Sequence, residues 1–596
     1  MGECDLIMKG GVTSGVVYPF AITEIAGSYR LRNIGGTSAG AIAATIAGAA
    51  EYRRQTGGGN EGFGDIEEIA SELGKDLGSL FQPTPELKQP FEILKKLVTK
   101  DPNAPEGEDG KPKAKTGVLK AVLTTYRGRV FTAVLLAGAP AILSAMFGVW
   151  GFFLFFLLLI PVLAVVLIGL ALKKAATVHL PAADFGLCSG KTQPDSQKPA
   201  FTNWIADHID RVAGCDVTDT TPPLTIGDLE HVGINVATMT TDLSTQRPYK
   251  LPLTEKRFFV RRSEMERLFP KRVVEYLCQT ANPPQHKDDP DDLFRLPVGP
   301  EFPLVLMARM SLSFPGLISA VPLWRVDYEK PKDENGKNPM TRLLFSDGGI
   351  CSNFPVHFFD APLPQRPTFG IKLGPYEEAI HTGERVDLPE KPRDVPRLRT
   401  SKVDGIGSFL FAILNTAKDW NDTLQSQLPG YAERIVEIRL RTSEGGMNFT
   451  MDPGVVSDIQ EYGAHAGKKL VTAFKDEEQK GFNRHRYVRA LSYAVAMEEA
   501  LAGLTTAYTD NAANPTYPEV MAELDVGAFG RISKAERKEI VEPFLAKLST
   551  LGLEVKNDEA SAKTKTVKQA GGPAQDASLR LAAEADRRPE VVDSND

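Results

Sequence analysis

One short segment of the chain carries a serine in a spacing that favours nucleophilic chemistry. In GGTSAG, Ser38 lies two residues after Gly36 and two residues before Gly40. The G-x-S-x-G spacing is typical of a nucleophile elbow, a tight turn that holds a strained serine at the N-terminus of a helix. Because the chain contains 52 glycines, the spacing can also arise by accident. It therefore needs a strand before it and a helix after it.

The residues around Ser38 supply that context. Leu31 to Ile34 predicts a short apolar strand, and Ala39 to Ala50 is a run of small helix-forming residues that permits close packing. The predicted strand, turn and helix follow one another directly. This order favours a nucleophile elbow, and a structural Gly/Ser turn is the alternative.

A candidate partner for the serine lies in TRLLFSDGGICSNFPV, residues 341–356. Leu343 to Ser346 predicts a strand, and Asp347 stands at its end, followed by Gly348 and Gly349. A carboxylate at the carboxyl edge of a strand in an open α/β sheet points toward the crevice where ligands bind. Asp347 is therefore the candidate proton acceptor, and an ordinary Asp-Gly turn is the alternative.

A glycine-rich segment near the N-terminus, DLIMKGGVTSGVVYP, completes the set of candidate groups. Asp5 to Met8 predicts a strand, and Gly10, Gly11 and Gly15 form a loop before a predicted helix. Backbone N–H groups of such a loop can converge on an anion, as the oxyanion of acyl transfer requires. A phosphate-binding loop and a plain tight turn are the alternatives.

Together these pieces resemble the patatin-like phospholipase family, which has a glycine-rich oxyanion loop, a G-x-S-x-G elbow and a D-G-G or D-G-A motif in this order. Two further stretches are similar to that family. Residues 225–251 (TIGDLE…INVATMTTDLSTQRPYKL) resemble its middle strand and T-D-L segment. Residues 307–323 (MARMSLSFPGLISAVPL) resemble its A-x-x-A-S-x-x-x-P-x-x-F stretch. The resemblance covers residues 4 to about 375.

The resemblance implies a serine acyl ester hydrolase with an α/β, patatin-like three-layer fold and a mainly parallel central sheet. It makes Ser38 the nucleophile and Asp347 its partner, in a Ser-Asp dyad without histidine, cofactor or metal. It assigns the oxyanion donors to Gly10, Gly11 and Val12. It assigns support of the elbow and of the aspartate motif to Gly36, Gly40, Gly348 and Gly349.

The sequence departs from the family pattern in the oxyanion loop. Val12 stands where the family usually has a third glycine, and Ser14 stands where it has Lys or Arg. A backbone N–H survives the valine, but the loop loses a charge that would anchor it. This departure motivates a second hypothesis, a catalytically silent, membrane-anchored lipid-binding or scaffold protein.

A Ser-His-Asp esterase is a third hypothesis. Its histidine would follow Asp347 in the chain, as it does in many hydrolases with this elbow. Ser38 lies nearer the N-terminus than the nucleophile of that fold, which argues against it. The available histidines are His357, His381, His465 and His485.

A long uncharged run predicts a membrane anchor. Val130 to Leu172 contains no charged residue and is about twice the ~20 apolar residues that one spanning helix needs. We expect two crossings, with a turn at Gly148 to Gly151. Basic residues of the kind found on the cytoplasmic side flank both ends: Lys120, Arg127, Arg129, Lys173 and Lys174.

A hairpin returns the chain to the side that it left, as joint action of Ser38 and Asp347 requires. The alternative is a buried core hairpin of a soluble protein, although soluble helices rarely remain apolar on all faces for so long. We expect a protein of the bacterial inner membrane with its catalytic domain facing the cytoplasm. The lipid bilayer would be its partner and membrane phospholipid its substrate.

The remaining segments predict the organisation of the chain. A glycine-rich stretch at 55–65 and a Pro/Gly/charged stretch at 100–115 predict loops, and the last forty or so residues lack apolar periodicity. The expected parts are 1–55, the first part of a patatin-like core; 56–115, a loop and helical insertion with a linker; 116–178, the hairpin; 179–375, the second part of the core; 376–555, a mostly helical region; and 556–596, a disordered tail.

The sequence leaves the roles of two surfaces undecided. Arg257, Arg261 and Arg262 surround two phenylalanines in residues 255–269, which predicts either contact with anionic headgroups or a strand with one solvated face. The region 376–555 offers a surface for a homo-oligomer or a protein partner, for control of access, or for covering the sheet edge. The sequence does not choose among these roles.

Composition excludes several classes of function. The balance of 69 basic and 76 acidic residues gives a net charge of −7, so no global nucleic-acid signal exists. The N-terminus lacks the basic and apolar pattern of a signal peptide. The odd, scattered cysteines show no zinc pattern and indicate a reducing setting: Cys4, Cys188, Cys215, Cys278 and Cys351.

Overall fold

A computed structural model gives the architecture of most of the chain. It describes residues 1–11, 13–98, 114–280, 285–286, 289–334, 336–390, 430–441, 443–445, 448, 451–475, 481–509, 515–523, 536–561 and 565–570, together with isolated residues between 400 and 416. Val12, the linker 99–113 and the segment 571–596 lie outside the described residues. The predicted disorder at the C-terminus therefore stays a prediction for 571–596.

Strands and helices alternate along the chain. The strands are β1 (Gly2–Met8), β2 (Tyr29–Gly36), β3 (Gly186–Cys188), β4 (Asn235–Asp242), β5 (Arg247–Leu251), β6 (Phe259–Arg261), β7 (Gln285–His286), β8 (Asp289–Arg295), β9 (Gly316–Ile318), β10 (Val321–Val326), β11 (Met340–Asp347), β12 (Thr368–Pro375), β13 (Val386–Asp387) and β14 (Ile435–Leu440). The α-helices are α1 (Tyr18–Ala26), α2 (Ala39–Arg53), α3 (Glu61–Asp76), α4 (Lys88–Val98), α5 (Ala114–Thr125), α6 (Arg127–Met146), α7 (Trp150–Lys174), α8 (Leu180–Ala182), α9 (Phe201–Val212), α10 (Ile226–His231), α11 (Arg262–Leu268), α12 (Lys271–Gln279), α13 (Leu304–Ser311), α14 (Pro453–Lys475), α15 (Gly481–Thr509), α16 (Tyr517–Glu523) and α17 (Glu542–Ala560).

A 12-stranded sheet runs through the protein in the order β13-β14-β12-β1-β2-β4-β11-β10-β6-β8-β7, with β5 also paired to β4. The predicted α/β class is confirmed. The sheet is parallel only from β14 to β4, and the remaining pairs are antiparallel. The prediction of a mainly parallel sheet is therefore corrected to a mixed one. Short connections such as β4 to β5 leave no room for the crossover helix that a parallel pair requires.

The two faces of the sheet contact different layers. Leu6 and Met8 of β1 belong to the main apolar core, where α2 packs on β1, β2 and β4. Ile7, which points to the opposite face, joins a smaller cluster with Phe354 and Ile435. The segment after β11 thus covers the second face next to the predicted site.

The two apolar helices α6 and α7 pack against each other and are joined by a turn in which Gly148 has a φ of +74°. Both are long and apolar enough to cross a membrane, and only 17% and 11% of their most apolar windows are buried. That exposure disfavours the alternative of a buried core hairpin. Small residues one turn apart on α6 allow close packing: Ala133, Ala137 and Ala141 are buried.

The C-terminal region is part of the core. Its strand β14 pairs with β12, so the sheet extends beyond the predicted boundary at residue 375. Helix α14 crosses α1 where Gly463 and Gly467 permit contact: a Cβ at these positions would lie 2.1 Å from the Val17 carbonyl oxygen and 2.8 Å from that of Ala21. Helix α17 continues to Ala560, inside the segment predicted as a disordered tail.

Candidate functional site

The predicted elbow joins β2 to α2. The strand ends at Gly36, the helix begins at Ala39, and Ser38 occupies the N-cap position with φ +54° and ψ −125°. A positive φ is uncommon for a residue with a side chain and marks local backbone strain. Ser38 is only 3% exposed. The strand, the strained serine and the helix predicted from the sequence are all present.

The two flanking glycines allow this turn to pack against β1. A Cβ on Gly36 would lie 2.5 Å from backbone atoms of Gly40 and 2.7 Å from the Met8 carbonyl oxygen. A Cβ on Gly40 would lie 2.3 Å from that same oxygen. Contacts this short do not occur in stable proteins, so both glycines are required by close approach of the backbone.

The strand β4 brings the predicted acid to the same edge of the sheet. Gly36 pairs with Thr238 on one side of β4, and Asp347 pairs with Thr240 on the other side. Ser38 lies two residues beyond Gly36, just past the last paired residue of β2. Ser38 and Asp347 thus flank a single strand at one end of the sheet.

Asp347 lies at this edge because β11 pairs with β4 over a short antiparallel stretch, which the sequence did not reveal. The strand β11 is antiparallel to β4, so the rule for parallel strands does not apply to it. Only Phe345, Ser346 and Asp347 pair with β4, which leaves the end of β11 at the carboxyl end of its neighbour. Asp347 is 4% exposed, and its Oδ1 accepts a 2.8 Å hydrogen bond from the N–H of Gly349.

The end of α13 connects the serine with the aspartate. The N–H of Ser38 donates to Oγ of Ser311 at 3.1 Å. The carbonyl oxygen of Ser313 accepts from the N–H of Asp347 at 3.1 Å and from Oγ of Ser346 at 2.9 Å. This short segment therefore holds both predicted catalytic residues through hydrogen bonds.

A buried arginine fixes that segment. Arg309 is fully buried, and its Nη1 donates to Oγ of Ser313 at 2.6 Å. Nη2 donates to the carbonyl oxygens of Ser189 and Ser319 at 3.0 and 2.8 Å, and Nε donates to Oγ1 of Thr202 at 3.1 Å. Burial lowers the pKa of Arg309, whereas the charge of Asp184 raises it. These bonds satisfy a cation that would otherwise be costly to bury.

Asn353 lies between the two glycine loops. Its carbonyl oxygen accepts from the N–H of Gly10 and from Oγ1 of Thr37, each at 2.8 Å. Its side-chain Oδ1 fills space that a Cβ on Gly10 or Gly349 would occupy, at 2.2 and 2.8 Å. Asn353 therefore ties the loop after β1 to the elbow and to the aspartate motif.

In the described part of the loop after β1, the backbone groups next to Ser38 are already engaged. The Gly10 N–H is engaged by Asn353, and the Gly11 carbonyl oxygen accepts from Oγ of Ser38 at 2.9 Å and from the N–H of Ala39 at 3.2 Å. The loop therefore presents an acceptor to Ser38 where an oxyanion needs donors. Val12 lies outside the described residues, and the assignment of Gly10, Gly11 and Val12 as donors stays a prediction.

An apolar pocket lies beside the serine. It contains about 710 Å³ of empty space, part of it open to solvent, between α1, α2, α3 and α9. Ala39, which follows Ser38 directly, lines it together with Ile42, Ala43 and Ile46 of α2. The cavity itself has a volume of about 80 Å³, below the ~300–1,000 Å³ typical of sites that enclose a whole small molecule. Its apolar lining suits an apolar group next to the serine.

The histidines of the third hypothesis make contacts in other parts of the chain. Nδ1 of His381 accepts from the N–H of Glu377 at 3.0 Å, and Nδ1 of His485 lies 2.9 Å from Oε1 of Glu433. His465 is an exposed residue of α14, and His357 lies in a short 3-10 turn after Pro355. Burial lowers the pKa of His485. The contacts of Ser38 and Asp347 given above involve no histidine.

The arginine cluster of residues 255–269 is paired with acids. Arg257 forms an ion pair with Glu255, Arg261 with Asp292 at 3.2 Å, and Arg262 with Glu275 at 2.9 Å. The predicted strand covers only Phe259–Arg261, and α11 follows it. The ion pairs leave these arginines less suited to headgroups than the sequence suggests.

Sequence reasoning missed three residues of the site: Arg309, Ser311 and Asn353. Arg309 and Ser311 lie in a stretch matched to the family motif, and their polar side chains within an apolar run were the available signal. Asn353 follows the aspartate motif, but no local pattern indicates its contact with Gly10. Among the described residues, no group of three or more His, Cys, Asp or Glu side chains could hold a metal ion.

Comparison with known proteins finds one relative whose name does not state a reaction. No known family model matches the chain. The chain is 32% identical over 578 residues to the RpoH suppressor of Rhizobium meliloti (strain 1021), with 83% of this chain and 85% of that protein covered. The crystal structure of VipD from Legionella pneumophila aligns over 96% of this chain and 89% of its own at 13% identity, with a TM-score of 0.28. A score this low supports no conclusion.

Proposed function

Because the chain belongs to the family of the RpoH suppressor of Rhizobium meliloti, a name that states no reaction, we propose its function from the site itself. The protein is a membrane-anchored acyl hydrolase of patatin-like fold. It cleaves acyl esters of membrane phospholipids through Ser38 and Asp347. The active unit faces the cytoplasm from the bacterial inner membrane.

One observation carries the proposal: a strained serine and a buried aspartate flank β4 at one edge of the sheet. A positive φ at the N-terminus of a helix costs stability, and such strain is concentrated at functional sites. The turn also places Ser38 in front of the first turn of α2, where the helix dipole favours negative charge. A merely structural turn has no need for either feature.

The chemistry follows from these two groups. Ser38 Oγ attacks the ester carbonyl, and Asp347 accepts the hydroxyl proton as the new C–O bond forms. The tetrahedral intermediate then expels the alcohol, which takes up that proton and leaves an acyl-enzyme on Ser38. Water attacks the acyl-enzyme and releases the fatty acid. The apolar pocket beside Ala39 receives the acyl chain during both steps.

The loop after β1 must rearrange before the reaction. The Gly11 carbonyl oxygen now accepts the Ser38 hydroxyl, and an oxyanion in that place would be repelled by it. Substrate or an activator would supply the free energy of this change.

A position at the membrane supports phospholipid esters as the substrate class. The hairpin of α6 and α7 is long and apolar enough to hold the site at a bilayer, where phospholipid esters are abundant. The pocket is lined by aliphatic and aromatic side chains, which suit an acyl chain. Both features favour lipid esters over soluble esters.

The conformation of the loop also favours a second candidate function. A protein whose Gly11 carbonyl permanently engages Ser38 would bind lipid without cleaving it. Such a membrane-anchored lipid-binding protein would keep the pocket and the hairpin. It would show no reaction at Ser38.

Labelling of Ser38 separates the two candidates. The detergent-purified full chain is treated with a fluorophosphonate, with and without added phospholipid, and the modified peptide is identified by mass spectrometry. If the protein is a hydrolase, we expect a covalent adduct on Ser38 that forms faster when lipid is present. The Ser38→Ala variant should form no such adduct. An unlabelled Ser38 under both conditions would support the lipid-binding protein instead.

A further inference from the structure

The base of the membrane hairpin carries basic side chains that the proposed catalysis does not use. We call this group the basic collar, and all of its members are exposed or half-buried. The collar consists of Lys88, Lys95, Lys96, Lys120, Arg127, Arg129, Lys173 and Lys174. Four of these residues lie on α6 and α7, and three lie on α4.

Contacts at both ends of α4 place this helix at the base of the hairpin. Nζ of Lys96 donates to the hydroxyls of Thr124 and Thr125 at 3.0 Å each, directly before α6. At the other end, the turn Pro85–Leu87 packs against the segment Ala175–His179, directly after α7. The buried side chain of Phe91 fixes α4 to the core. The lysines of α4 therefore lie near the point where both spanning helices end.

The collar has more positive charge than the described residues around it have negative charge. Among the described residues, none of its members forms an ion pair with a carboxylate, whereas Arg257, Arg261 and Arg262 do. Glu86 and Glu92 are the two acidic residues in the described parts of 85–129 and 173–183. The linker between α4 and α5 adds little charge, since residues 99–113 contain three lysines and four acids. The whole chain, by contrast, has a net charge of −7.

Position and charge together identify the ligand of this surface. Apolar helices of this length place their ends at the headgroup layer of a bilayer. Basic groups near that layer are attracted to anionic lipids, with each contributing about fivefold in binding. We propose that the basic collar binds anionic phospholipid headgroups and holds the catalytic domain against the membrane surface. This inference does not depend on catalysis by Ser38.

Lipid binding to the purified full chain tests the proposal. The protein in neutral detergent is titrated with phosphatidylglycerol or with phosphatidylcholine of the same acyl chains, and bound lipid is counted by native mass spectrometry. We expect phosphatidylglycerol to bind at least about tenfold more tightly at low salt, and the difference to shrink at high salt because exposed charges are screened. Equal binding of the two lipids would overturn the proposal.

Two matched variants assign the effect to the collar. The collar variant carries Lys120→Gln, Arg127→Gln, Lys173→Gln and Lys174→Gln. The control removes four exposed lysines elsewhere, with Lys271→Gln, Lys332→Gln, Lys468→Gln and Lys547→Gln. The collar variant should lose the preference for phosphatidylglycerol, and the control should keep it. Retention of the preference by the collar variant would contradict the assignment.

A smaller variant and a soluble competitor complete the experiment. If the collar variant does not insert or fold, Lys88→Gln with Lys95→Gln changes only α4 and should still weaken phosphatidylglycerol binding by about tenfold or more. Glycerol 3-phosphate offers the same phosphate chemistry without a membrane. Its failure to compete supports a lipid surface, and full competition at equal concentration would show a soluble phosphate site instead.

Discussion

The hydroxyl of Ser311 accepts a 3.1 Å hydrogen bond from the backbone N–H of Ser38. Two residues further along, the Ser313 carbonyl oxygen holds the N–H of Asp347. The end of α13 therefore couples the predicted nucleophile to the predicted acid, although these two residues are far apart in the sequence. Any change that moves this segment should disturb both residues together.

The elbow should not tolerate a side chain at its second glycine. In Gly40→Ala the new Cβ would lie 2.3 Å from the Met8 carbonyl oxygen, so β1 or α2 must shift. We expect a loss of about 1–3 kcal/mol in the free energy of unfolding, measured by thermal or denaturant unfolding in detergent. Gly64→Ala is the matched control, because α3 has open space there and alanine favours the helix. A Gly40→Ala protein as stable as the control would refute the close packing.

Arg309 should contribute to stability through hydrogen-bond geometry as well as charge. Lysine keeps the charge but cannot reach acceptors on Ser189, Ser313 and Ser319 together. Arg309→Lys should therefore leave buried acceptors unpaired and cost about 2–4 kcal/mol in the free energy of unfolding. Arg441→Lys, at a residue that is 51% exposed, should change stability by less than about 0.5 kcal/mol. Equal melting temperatures for the two variants would show that the network is dispensable.

The pocket should determine which acyl chains are cleaved. Ala43 lines it and is 9% exposed, so Ala43→Leu fills space beside the serine. We expect hydrolysis of long-chain esters to fall about tenfold or more in kcat/KM, while butyrate esters are cleaved nearly as before. The short-chain substrate serves as the internal control for folding. An equal loss on both substrates would mean that the acyl chain binds elsewhere.

The hairpin should be the main membrane anchor. The side chain of Arg129 reaches the Leu167 carbonyl oxygen at 3.2 Å, so the ends of the two helices lie close together. Replacing Val130 to Leu172 with a short polar linker can therefore preserve the rest of the fold. The shortened protein should remain in the supernatant when membranes are sedimented at high salt, which screens the basic collar. Continued sedimentation with membranes would contradict the hairpin anchor.

Local patterns in the sequence predicted much of the site but not its conformation. The elbow and the strand before Asp347 depend on short-range spacing, and glycines mark them clearly. The loop carbonyl of Gly11, the bridging Asn353 and the buried Arg309 depend on contacts between distant segments, which one sequence does not display. The same holds for β14, which joins the sheet from the C-terminal region, and for the antiparallel half of the sheet.

The most direct measurement of the central claim is release of free fatty acid from mixed phospholipid vesicles. Wild type, Ser38→Ala and Asp347→Asn are purified identically in detergent and reconstituted at equal amounts. The proposal predicts release by wild type, none above background for Ser38→Ala, and a rate about 10²- to 10⁴-fold lower for Asp347→Asn. Equal release by all three proteins, or none by wild type with an activator present, would contradict a Ser38–Asp347 hydrolase.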